Sequence, residues 1–151
     1  MITDYIEIWN THNLSQRTLE HLTLFGIALG FAIFFGSIIG FFISYYQRIS
    51  KISLYIINSI QTIPTLALLV LMIPIFGLGL WPTIIASMLY SFQPIIRNIY
   101  TGLTNIDQTK IKVAQAMGLT KREIYFKIRL PLAIPLIFSG IRVSTVFIMG
   151  V

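Results

Sequence analysis

The chain has 151 residues; 56% are hydrophobic, 11% are charged, and the formal net charge is +6. More than half apolar is beyond what an ordinary soluble domain hides, so the composition excludes a soluble fold and indicates one all-α membrane domain. The absence of cysteine excludes disulfides and thiolate metal sites, and His12 and His21 are too few for a histidine-rich centre, so no metal or cofactor is expected.

Residues 1–18 carry Asp4 and Glu7, with Glu20 just beyond, against Arg17. A secretory leader wants a positive n-region and a small-residue cleavage site, so this stretch reads as a mature extramembrane segment, domain 1–18. The membrane domain is 19–151. It offers about four apolar stretches near the roughly 20 residues that a bilayer span requires. The first, about 19–46, holds Gly26 with Gly30 and Gly36 with Gly40, spacings that let helices approach closely, within the bundle or between subunits. A basic break with Arg48 and Lys51 follows.

The second span, about 52–76, contains Pro64. A mid-helix proline frees the carbonyl four residues earlier, here Ile60, and a kink is expected, with Gln61, Thr62 and Thr65 to satisfy the backbone. Gly77, Gly79, Trp81 and Pro82 make a turn at the water interface. The third span, about 83–96 and extending toward Leu103, has Pro94 near its end. A polar stretch runs from Thr104 to about Arg129, and a last apolar run begins at Leu130 and is still in progress at Val151. The fold predicted is a polytopic transmembrane bundle that ends within its fourth span, which suggests a truncated chain. Within that run Arg142 is the ionisable residue at membrane depth, a pathway candidate with Pro64 and Pro94, unless it lies shallow enough to snorkel. With no acid or histidine at similar depth, an intramembrane enzyme has no acid–base pair, and no catalytic residue is assigned.

The loop 104–131 reads as two short helices with a bend. Asp107 is the N-cap of the first, on which Ile111, Ala114 and Met117 share a face. Gly118 sits where a helix end takes a left-handed residue. Thr120 and Glu123 form a capping box, Leu119 and Ile124 a hydrophobic staple, and Pro131 closes the segment. Two readings stand: an amphipathic loop on anionic headgroups, or a docking element for a cytoplasmic partner. The defined stop signals favour docking.

This loop resembles the E-A-A-x3-G-x9-I-x-L-P signature of ABC importer permeases. The matching positions are Lys112, Val113, Ala114, Gly118, Ile128, Leu130 and Pro131; Lys112 stands for the glutamate and Val113 for an alanine. The segments S-I-Q-T-I-P-T-L-A-L-L at 59–69, I-P-I-F-G-L-G at 73–79 and L-Y-S-F-Q-P-I-I-R-N at 89–98 resemble permeases for glycine betaine, carnitine and choline. The resemblance covers roughly residues 20–151. It implies a type I importer core: paired permease subunits, identical or different, a cytoplasmic ATPase on each coupling loop, and an extracellular solute-binding protein or domain. No G-x-x-x-x-G-K-[ST] phosphate loop occurs, so ATP hydrolysis is expected on a partner. The alternatives are a methionine-type amino-acid permease and a non-transporting truncated membrane protein.

Charge orients the chain. Arg48 and Lys51 lie in the first break, and Arg97, Lys110, Lys112, Lys121, Arg122, Lys127 and Arg129 flank or fill the loop against Asp107 and Glu123. Basic residues that flank apolar segments report orientation, so no nucleic-acid partner is expected. The positive-inside rule puts both segments in the cytoplasm of a bacterial plasma membrane and the N-terminus outside. Single cysteines at Ser50 and Thr120 should therefore be shielded from an impermeant thiol reagent in intact cells, and one at Gly79 should react. Labelling of Thr120→Cys from outside reverses the assignment.

Overall fold

The structure, a computed structural model, describes Trp9, Thr11 and residues 13–150, of Gln47 the backbone only. Most of the 1–18 segment, including Asp4, Glu7 and His12, lies outside the described residues. The described fold is all-helical: α1 Leu14–Tyr45, α2 Gln47–Ile60, α3 Thr65–Phe76, α4 Leu80–Thr104, α5 Gln108–Ala116, α6 Lys121–Ile124, a π-helical turn Tyr125–Arg129, and α7 Leu130–Met149. Among these residues α1 and the continuous run Lys121–Met149 are long and apolar enough to cross a membrane, and the bent pair α2–α3 makes a third if it is one span. The third sequence stretch is not among them. It forms α4, which begins at Leu80 and carries Gln93, Arg97 and Asn98.

That helix is nonetheless the spine of the bundle. Its buried positions include Ile84, Ser91, Ile95, Ile96, Ile99 and Leu103. α1 packs along one side of it with a stripe of small residues at four-residue steps, Ala28, Ala32, Gly36 and Gly40. A Cβ on Gly36 would stand 3.2 Å from Ile95 Cγ2, and one on Gly40 would stand 3.0 Å from Ile99 Cβ. The Gly36–Gly40 pair thus serves packing within this chain, whereas Gly26 and Gly30 have nothing near their missing side chains. On the other side α7 brings Gly140 within contact of the Pro94 carbonyl and Asn98, and Ala133 against Gly102. Ser144 Oγ donates to the Ser91 carbonyl at 2.9 Å. Between helices in lipid there is no hydrophobic drive, so backbone proximity and such van der Waals contact hold them together.

Pro64 does not kink a continuous helix. α2 stops at Ile60, Pro64 occupies the N-cap of α3 in extended geometry, and the two helices meet at 94°. The residue before a proline is disfavoured in the helical region, which ends α2 outright. The Ile60 carbonyl is taken by the Ile63 amide at 3.2 Å, and Thr62 Oγ1 donates to the Ser59 carbonyl at 2.7 Å. Gln61 has a different task. Pro94 lies well inside α4 rather than near its end, and its missing N–H releases the Tyr90 carbonyl. Gln61 Nε2 donates to that carbonyl at 3.2 Å. Gln93 Nε2 donates to Asn58 Oδ1 at 3.1 Å, and Ser50 Oγ to the Tyr100 hydroxyl at 3.4 Å. The pairs 50–100, 58–93 and 61–90 run in opposite directions, so α2 lies antiparallel on α4.

Because Gly40 meets Ile99 at contact distance and Gly26 meets open space, Gly40→Val should destabilise the bundle by about 1–3 kcal/mol, the usual cost of overpacking. Gly26→Val should be nearly neutral. Denaturation of both variants in mixed micelles, followed by far-ultraviolet circular dichroism, measures the difference; equal stabilities contradict the packing described.

Candidate coupling hairpin

The segment between α4 and α7 is a hairpin built almost entirely from local hydrogen bonds. Asp107 caps α5: its carboxylate accepts from the Thr109 amide at 2.8 Å. That bond, reinforced by the Thr109 side chain and by nearby Lys110, holds the Asp107 carboxyl below its ordinary pKa of 3.8. At the other end α5 closes in a Schellman motif. The Gly118 amide donates to the Gln115 carbonyl at 3.0 Å and the Leu119 amide to the Ala114 carbonyl at 3.1 Å. The motif requires a left-handed residue, and Gly118 has φ +83°.

The second arm starts at once. Thr120 Oγ1 accepts from the Glu123 amide at 3.3 Å, and the Glu123 carboxylate accepts from the Thr120 amide at 3.0 Å, a reciprocal capping box. Lys127 Nζ meets Glu123 at 3.0 Å one turn later. Between the arms Ile111, Ala114 and Ile124 form a small buried cluster, with Ile106, Leu119 and Ile128 packed on it. Met117, assigned by spacing to the same face, is instead 74% exposed, because α5 ends at Ala116 and the turn throws the next side chain outward. Val113 is 54% exposed. The hairpin therefore hides one apolar face and presents a second, with Lys110 and Lys112 exposed on the same helix.

Pro131 does not close the hairpin. The second arm passes through the π-helical turn, where the Leu130 amide reaches back to the Tyr125 carbonyl, and continues as α7 with Pro131 in its first turn. Pro131 therefore lies inside a continuous helical run, to which it donates no amide, directly after the π-helical turn where the hydrogen-bond ladder is rearranged. Ile128, Leu130 and Pro131 thus form the junction between hairpin and span. Arg129 Nη1 donates to the Leu103 carbonyl at 3.2 Å and ties this junction to the last turn of α4. The hairpin's base is thus tied to both α4 and α7.

Arg142, a pathway candidate by sequence unless it lies shallow enough to snorkel, is exposed on the outer side of α7. Gly140, Ser144 and Ile148 take the inner side, and a residue two positions from 140 and from 144 points the opposite way at 3.6 residues per turn. The role of Gln61 was missed in the sequence; the proline at 94 was the available signal, since it predicts an unpaired carbonyl at Tyr90.

Residues 32–150 match the family described as the inner membrane component of binding-protein-dependent transport systems, and the chain belongs to that family. Among curated relatives it is 35% identical over 141 residues to the choline transport system permease protein OpuBB of Bacillus subtilis (strain 168), covering 93% of this chain and 65% of that protein. It is 37% identical over 136 residues to the glycine betaine/carnitine/choline transport system permease protein OpuCD of the same organism, covering 90% of this chain and 59% of the relative. The osmoprotectant import permease protein OsmW of Salmonella typhimurium (strain LT2) is 33% identical over 156 residues, with 73% of its length covered. The chain thus spans less than two thirds of the length of the first two.

A Cβ on Gly118 would meet nothing within 4 Å, so its backbone conformation is the whole constraint. Gly118→Val should destabilise the hairpin by about 1 kcal/mol or more, while Gly118→Asn, which tolerates the left-handed region, should lose less. Limited proteolysis across residues 112–124 reads this directly. Equal cleavage of the Val and Asn variants contradicts the assigned turn.

Proposed function

We propose that this chain is the membrane-spanning permease subunit of an ATP-driven importer for compatible solutes of the glycine betaine, carnitine and choline class. The observation that carries the reading is the Schellman-closed hairpin. It holds Val113 and Met117 outward at the tip of a rigid, base-anchored lever, in a chain of the binding-protein-dependent family. A loop that only adhered to headgroups would need no such closure. Lys112, Val113 and Gly118 form the surface that a cytoplasmic ATPase engages, while Ala114, buried between the arms, packs the hairpin from within; Asp107, Thr120 and Glu123 hold its shape; Ile128, Leu130 and Pro131 transmit its motion into α7.

In this reading ATP-driven closure of two ATPase subunits displaces two hairpins and switches the pathway between outward-open and inward-open states. An extracellular binding protein or domain delivers the solute. The outward face of α7 with Arg142 meets the second permease subunit along the pathway. Residues 1–18 lie outside the cell and 104–131 in the cytoplasm. The solute class is drawn from the relatives whose names carry choline, carnitine and glycine betaine. Competition uptake with labelled choline and methionine separates it from an amino-acid permease.

Val113→Glu with Met117→Glu changes exposed side chains only, so folding should survive. The double variant should lose retention of the ATPase in pull-downs and lose solute-stimulated ATP hydrolysis in the reconstituted complex. Lys112→Glu, which restores the usual signature residue, should keep both. Normal stimulated hydrolysis in the double variant means that this hairpin is not the coupling element.

A further inference from the structure

An open cavity of about 1290 Å3 lies between the end of α1 and the base of the hairpin. Its two walls differ in chemistry. The α1 wall is apolar and aromatic: Ile38, Phe41, Phe42, Tyr45 and Tyr46. Phe42 and Tyr46 lie with ring centroids 4.8 Å apart, and Tyr45 meets Tyr46 at 5.1 Å. Tyrosines at the end of a span, followed directly by Arg48 and Lys51, mark the level of the lipid headgroups. The hairpin wall carries Lys121, Arg122 and Arg129, and among the described residues no carboxylate lines the cavity. The nearby Glu123 carboxylate is held by Lys127 and Thr120, and the Arg129 guanidinium by the Leu103 carbonyl. Lys121 and Arg122 are exposed and remain to meet a ligand.

We infer that this cavity is a binding site for one anionic glycerophospholipid, its acyl chains against Ile38, Phe41 and Phe42 and its phosphate at Lys121 and Arg122. Three cations in the lining repel a quaternary ammonium solute, so the aromatics there do not serve as a cation cage. The volume also exceeds the roughly 300–1,000 Å3 usual for small-solute pockets, and the site is open. A lipid seated there contacts both α1 and the hairpin and fixes the distance between them. The inference rests on the membrane placement of α1 at its tyrosine end, and not on the solute or the ATPase.

The test uses the purified chain in micelles doped with equal phosphatidylglycerol and phosphatidylcholine, with retained lipid read by native mass spectrometry. Phosphatidylglycerol should be retained selectively. Lys121→Gln with Arg122→Gln should weaken that retention by about fivefold for each charge removed, the factor equivalent to roughly 1 kcal/mol per basic residue at an anionic surface. Helicity by circular dichroism confirms that the variant is folded. Equal retention of the two lipids, or undiminished phosphatidylglycerol on the double variant, overturns the assignment. A photo-crosslinker in place of Tyr45 provides a second arm on otherwise unaltered protein in native membranes. An adduct of lipid mass supports the site, and an adduct of polypeptide mass means that protein fills the cavity. Neither readout involves transport, so failure here leaves the importer reading untouched, and failure of that reading leaves this one standing.

Discussion

Close approach to α4 is the constraint on which the rest depends. Two helices must come close to it, and they do so where they have almost no side chain: Gly36 and Gly40 of α1 against the side chains of Ile95 and Ile99, and Gly140 of α7 against the Pro94 carbonyl. In lipid the surrounding tails are as apolar as leucine, so burying another isoleucine between helices gains little. What is gained is dispersion contact at short range, and small residues at four-residue spacing are the means to it. This explains why the most buried helix is not the most apolar one. α4 has partners along its length and can carry Gln93 and Asn98, whereas α1 and α7 turn large hydrophobic side chains outward, as Phe34, Ile38 and Phe138 do.

A central helix interrupted by proline must still satisfy its backbone, because an unpaired buried carbonyl is costly. The Tyr90 carbonyl released by Pro94 is met by Gln61, a residue of the α2–α3 break. Two prolines thus cooperate across the structure. Pro64 ends α2 and leaves Gln61 in a turn from which its amide reaches α4; Pro94 supplies the acceptor. Interhelical hydrogen bonds of this kind average only about 0.6 kcal/mol. Their value here is directional, since they fix the register of α2 on α4 with Asn58–Gln93 and Ser50–Tyr100.

The hairpin follows a different logic. It owes its shape to caps that act within a few residues, and little to contacts with the bundle. Its small core of Ile111, Ala114 and Ile124 closes the two arms on each other. Its attachment is the Arg129 bond to Leu103 and the unbroken passage of the second arm into α7. Such a unit is held together locally and joined to the bundle at its base.

Local features were legible in the residues alone. Asp107, Gly118 and the Thr120–Glu123 pair specify their caps because each hydrogen bond closes over two to five residues, and the apolar runs announce a helical membrane domain because the bilayer sets a length and a composition. The sequence marks Pro64 as a disturbance but reads it as a kink in one span, where the structure has two helices meeting at 94°. What it left open was decided by contacts between residues far apart in the chain. Spacing alone made Gly26 with Gly30 as good a packing pair as Gly36 with Gly40, and only the line of α4 beside α1 separates them. Met117 matched the buried face by periodicity until the turn at Gly118 ended the helix one residue before it. Arg142 faces outward because Gly140 and Ser144 are claimed by α4. Gln61 bonds a carbonyl 29 residues away, whose need arises from a different proline than the one beside it in the sequence. Short-range hydrogen bonding and hydropathy are properties of segments. The choice of which face, glycine or amide meets a partner belongs to the assembled bundle, because in a membrane that choice depends on how closely two backbones approach.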